Sequence, residues 1–96
     1  MIRHICMFKL KEENREENIQ EFIRRAESLK SLEMVKRYEV VRNVAGTPDY
    51  NYDVSLIFDF DSVESLNEYQ KAPLHLEFGK FVGAVRELRA CIDYEF

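Results

Sequence analysis

This chain is short of the residues that most readily announce a chemistry. It has two cysteines, Cys6 and Cys91, each inside an apolar segment. They lack metal-ligand spacing and have no further cysteines to build a disulfide framework. They read as reduced, buried thiols, with a disulfide between the first and last strands as the alternative. Histidine also occurs only twice, so no dedicated transition-metal site and no cofactor are expected. There are three glycines, and none sits in a phosphate-binding loop; serine-nucleophile motifs are missing too. Basic residues are not in excess: 14 Lys and Arg stand against 18 Asp and Glu, for a net charge of −4. That balance argues against nucleic acid or an anionic membrane as partner. No long apolar run opens the chain, so neither a signal peptide nor a membrane span is expected, and a cytoplasmic location follows by default.

What is present is apolar and patterned. Hydrophobic residues make up 46% of the chain and aromatics 12%, enough to build a real core, so disorder is excluded. The length predicts a single domain over residues 1–96. "IRHICMFKL" reads as a strand apolar on both faces. Asn14 and Glu17 have capping-box spacing ahead of a helical stripe of Ile19, Phe22, Ile23, Ala26 and Leu29. "MVKRYEVVRNV" predicts a second strand, and "AGTPDYN" a loop broken by Gly46 and Pro48. "YDVSLIFDF" is the clearest strand, with Tyr52, Val54, Leu56, Phe58 and Phe60 on one side. Asp61 and Glu64 predict a second capping box, opening a helix through Val63, Leu66 and Tyr69. Past Pro73 a further helical stripe runs through Phe78, Phe81, Val82, Val85 and Leu88. "ACIDYEF" closes the chain as a fourth strand. The order β-α-β-β-α-β predicts an α+β, ferredoxin-like subunit with a four-stranded antiparallel sheet.

Two helices cover only one face of such a sheet. On the other, Asp53, Asp59 and Asp93 are the expected polar positions, but Ile5, Met7, Val35, Val41 and Ile57 share their registers. A half-apolar open face predicts a homodimer that pairs sheet to sheet.

"YQKAPLH", residues 69–75, holds the candidate chemistry. On an unbroken helix Tyr69 and His75 would lie about 240° apart around the axis and could not cooperate. Pro73 removes a backbone donor and restricts the residue before it, so a break at Ala72–Pro73 is expected, with Pro73 opening a new helix. Both side chains can then turn toward a cleft between helix and sheet. His75 falls at the edge of the apolar stripe, partly desolvated, where it can act as a general base while Tyr69 holds a carbonyl oxygen. The alternative is structural: His75 fixes the bend and Tyr69 is a core aromatic. His4 shares a side with Cys6, Phe8 and Leu10 and reads as a satisfied core histidine. Gly79 and Gly83 read as a smooth patch for helix packing, or else as room for a ligand beside His75.

Taken together, "HICMFKL", "YDVSLIFDFDSVESLNEYQKAPLH" and "CIDYEF" resemble the stress-responsive A/B barrel (Dabb) family across nearly the whole chain. The most specific part is Y-x-x-x-P-x-H together with His4. The resemblance implies a dimeric α/β barrel made by sheet-to-sheet pairing. It also implies a comparison with one catalytic member, olivetolic acid cyclase, which closes a linear polyketide by aldol condensation without a metal or organic cofactor. By that comparison His75, Tyr69 and His4 are the candidate catalytic residues. Two further histidines of the cyclase fall on Val54 and Ala72. Three functions remain open: a dimeric binder of an apolar or aromatic small molecule, a cofactor-free cyclase or lyase, and a purely structural stress protein.

Overall fold

The computed structural model covers residues 1–96. Period-two alternation in four segments produces one antiparallel sheet: β1 (Ile2–Leu10), β2 (Arg37–Arg42), β3 (Val54–Phe60) and β4 (Arg86–Glu95), in the order β2-β3-β1-β4. Helix α1 (Arg15–Ala26) runs on into a 3-10 turn at Glu27–Ser31, and α2 (Val63–Lys71) and α3 (Pro73–Val85) together fill the place of the second helix. This is the ferredoxin-like α+β arrangement.

One sheet face is buried because alternate residues carry the large apolar side chains. Cys6, Phe8 and Leu10 of β1 and Val54, Leu56, Phe58 and Phe60 of β3 meet Phe22 of α1, Leu66 and Tyr69 of α2, and Phe78 and Val82 of α3. Phe22 is fully buried between Phe8 and Phe78, with ring centroids 5.3 and 5.1 Å away. Burying each such side chain contributes about 1.5–3 kcal/mol.

Neither expected capping box forms. Asn14 sits in the left-handed region at φ 56° and makes no side-chain cap bond. Arg15 secures the turn instead, donating to the Leu10 carbonyl at 2.8 and 3.1 Å. At α2 the cap is Ser62, not Asp61: its extended backbone lets Oγ accept from the Ser65 N–H at 3.2 Å. The last strand is longer than "ACIDYEF". It starts at Arg86, so Leu88 belongs to β4 and pairs with Lys9 rather than extending a helical stripe. No glycine or proline marks this helix end; the chain leaves α3 because β1, running to Leu10, offers backbone partners that far.

The sheet's other face carries Ile5 and Met7, Val41, Ile57, and Leu88, Ala90, Ile92 and Tyr94 of β4. Ile92 is 60% exposed and Leu88 51%. Val35 precedes β2 and packs against the core instead. The three expected polar positions part company. Asp59 remains on this face, accepting from Nε and Nη2 of Arg3 at 2.8 and 2.9 Å, which holds its carboxyl below the usual carboxylate range. Asp53 lies before β3 and accepts from the Leu10 N–H at 2.8 Å. Asp93 pairs with His4 and therefore points to the helix side.

Candidate functional site

The break at Ala72–Pro73 creates the site. Ala72 is extended, with ψ 140°, while Pro73 occupies the first turn of α3, where its missing N–H would have had no helical partner anyway. The break brings Tyr69 and His75 together, with ring centroids 4.6 Å apart. It also orients the imidazole. The Gln70 carbonyl lies in the last turn of α2 and is left without a helical donor. His75 Nδ1–H donates to it at 3.0 Å. That bond selects the tautomer whose Nε2 carries a free lone pair. His75 is half-buried, and burial is the main reason its pKa lies below the ordinary histidine value; the Gln70 bond opposes that shift. At neutral pH it is an uncharged base.

Tyr69 is fully buried among Phe58, Phe60 and His4, at centroid distances of 5.7, 5.0 and 6.2 Å. Its Oη is the one buried side-chain polar atom in the molecule without a hydrogen-bond partner. Burial pushes its pKa up, so the group is a neutral O–H donor. Such an orphan costs about 1–3 kcal/mol, which marks a position where a ligand atom would relieve a deficit.

A cleft of about 440 Å³ opens beside these groups, lined by His4, Tyr69, His75, Gly79, Gly83 and Arg89 among others. That volume is in the range of small-molecule sites. A Cβ added at Gly79 or Gly83 would meet nothing within 4 Å. The two glycines therefore do not serve close helix packing; they leave the cleft wall open. The third candidate, His4, is buried and its Nδ1 lies 2.5 Å from Asp93 Oδ1. All three sequence candidates thus gather at one cleft. Sequence reading missed Gln70, whose carbonyl sets the tautomer, although it lies inside "YQKAPLH". It also missed Arg89, because the start of β4 was misplaced.

The family model of the stress responsive A/B barrel domain matches residues 2–96. The chain belongs to that family. Among solved structures, this A/B barrel domain is similar to a dimeric ferredoxin-like protein of unknown function from Bacteroides fragilis. They share 29% identity at a TM-score of 0.87, over 99% of this chain and 95% of the other. A Dabb family protein with a ferredoxin-like fold from Mesorhizobium loti is 24% identical at TM-score 0.81, covering 98% and 94%. The hydroxynitrile lyase of Passiflora edulis shares the fold at 18% identity and TM-score 0.83, covering 97% and 90%. No functionally curated protein matches the sequence.

The A/B barrel domain has two larger hollows, of about 700 and 620 Å³, around the β2–β3 loop. In the first, Lys9 donates to the Asp49 and Asn51 carbonyls and Arg42 holds Glu16, so its polar groups already stabilise the loop. The second runs onto the open sheet face at Met7 and Val41. Neither contains a histidine. No helix is long and apolar enough to cross a membrane. The thiols of Cys6 and Cys91 are free; Cys6 is buried, whereas Cys91, expected to be buried, is exposed on the edge strand.

Proposed function

We propose that this A/B barrel domain is a homodimer joined through its open sheet faces, and that each subunit binds a small apolar or aromatic carbonyl compound in the cleft at Tyr69 and His75. The observation that carries the binding reading is the unpartnered Tyr69 hydroxyl beside the free Nε2 of His75. A carbonyl oxygen would accept from Tyr69, and the apolar remainder would lie along Phe78 and Val82. The dimer reading rests on the apolar stripe of β1 and β4; beside it Arg3 of β1 and Asp59 of β3 neutralise each other and tolerate being covered. Free thiols fit a reducing compartment such as the cytoplasm.

The test is an NMR titration of labelled histidine with small aromatic ketones and aldehydes. The expected result is a saturable shift of His75, with affinity falling about tenfold in Tyr69→Phe, the loss of roughly one hydrogen bond. If every such compound leaves His75 unmoved, the structural reading holds.

The orientation of His75 favours catalysis as the second reading. Nε2 would take the proton from a carbon next to the bound carbonyl. The C–H electron pair would pass into an enolate, whose oxygen Tyr69 would hold by its O–H. His4, braced by Asp93, would stand behind Tyr69. Exchange of that carbon's hydrogen for deuterium, abolished in His75→Gln while binding persists, is the expected signature.

A further inference from the structure

Cys6 and Cys91 are direct cross-strand partners in the β1–β4 ladder, and His4 and Asp93 are the next pair along the same side. The ligand atoms of His4, Cys6 and Cys91 all lie within 4.8 Å of one another. His4 Nδ1 stands 3.5 Å from Cys91 Sγ. Two donors bound tetrahedrally to one zinc ion, at Zn–S and Zn–N lengths of about 2.3 and 2.0 Å, are separated by about 3.5 Å. Strand register has therefore brought His4 and Cys91 to ligand spacing and the remaining donor pairs to within 4.8 Å, although no spacing in the sequence announces it.

We propose that His4, Cys6 and Cys91 form a binding site for a soft divalent cation of the Zn²⁺ type. Two thiolates and an imidazole are the donor set that such ions prefer over the hard cations. Asp93 Oδ1, hydrogen-bonded to His4 Nδ1 at 2.5 Å, is too close to that nitrogen to share the ion with it, so the fourth position falls to solvent. An ion takes each cysteine as its thiolate, the proton passing to solvent, and takes His4 through an unprotonated Nδ1, which then gives up its hydrogen bond to Asp93. The site lies on the helix side of an edge strand, so an ion enters past the exposed Cys91, and pairing of the open sheet faces does not cover it. The site shares His4 and Cys6 with the wall of the cleft at Tyr69, but sulfur-to-metal absorption reads it separately from any ligand bound there.

The experiment loads the reduced, metal-free full chain with Co²⁺ and follows its absorption. The expected result is one cobalt per chain with sulfur-to-cobalt charge-transfer bands, displaced by Zn²⁺, and a Zn²⁺-dependent rise in melting temperature. Cys91→Ser, a surface change compatible with folding, loses the bands and the rise; His4→Gln binds more weakly. Three results overturn the proposal: no thiolate bands, bands that persist in Cys91→Ser, or a reduced protein that takes no cobalt and closes a Cys6–Cys91 disulfide in air. The last would make the pair a redox couple instead.

Discussion

Removing one atom, the Tyr69 hydroxyl oxygen, should make the unliganded protein more stable. The hydroxyl is buried with no partner, so its desolvation is uncompensated, at about 1–3 kcal/mol. Tyr69→Phe removes that deficit and leaves a hole on the order of 15 Å³, which costs about 0.4 kcal/mol. The ring keeps its contacts with Phe58, Phe60 and His75. The net expectation is a gain of roughly 0.6–2.6 kcal/mol, or several degrees in Tm for a domain of this size. Urea unfolding followed by circular dichroism measures it, at one fixed protein concentration because dimerisation also contributes. A variant less stable than the parent by about 1 kcal/mol, with unchanged m, would show that the hydroxyl has a partner. The cleft would then hold no unmet hydrogen-bond donor for a ligand. The same substitution that stabilises the protein should weaken ligand binding, and that opposition separates a binding group from a core aromatic.

Three other outcomes are expected. The pKa of His75 is lowered in the folded state, so above the unfolded value of about 6.5 its contribution to stability is intact, and it is lost as pH falls toward the folded value. Urea melts across that window should show an acid-side decline that is shallower in His75→Gln. Gly83→Ala fills open space on α3 and should stabilise by up to about 1 kcal/mol, read as a higher urea midpoint, while narrowing the cleft. Ile92→Asp, at the centre of the open face, should convert a dimer to monomers in sedimentation equilibrium and remove the concentration dependence of Tm; an unchanged mass would place the dimer contact elsewhere.

Local signals carried much of the fold. Alternation in "YDVSLIFDF" and the stripe Ile19–Phe22–Ala26 depend on period alone, and Pro73 restricts its neighbour whatever surrounds it, so the strand, the helix and the break between α2 and α3 were all legible. The cap at Ser62 was not, because Asp61–Glu64 and Ser62–Ser65 offer the same spacing one residue apart. The end of α3 at Val85 was not, because no residue there breaks a helix; the partners that draw Arg86 into the sheet are on β1, more than seventy residues away.

The candidate site divides in the same way. The sequence by itself determined that Tyr69 and His75 flank a break and so are free to face one another, since proline's missing N–H is a local fact. Only the tertiary structure decided that Tyr69 Oη has no partner, that the Gln70 carbonyl sets the His75 tautomer, and that Cys6, Cys91 and His4 meet. Those depend on strand register and on which polar groups remain unpaired after packing, and both are properties of the whole chain.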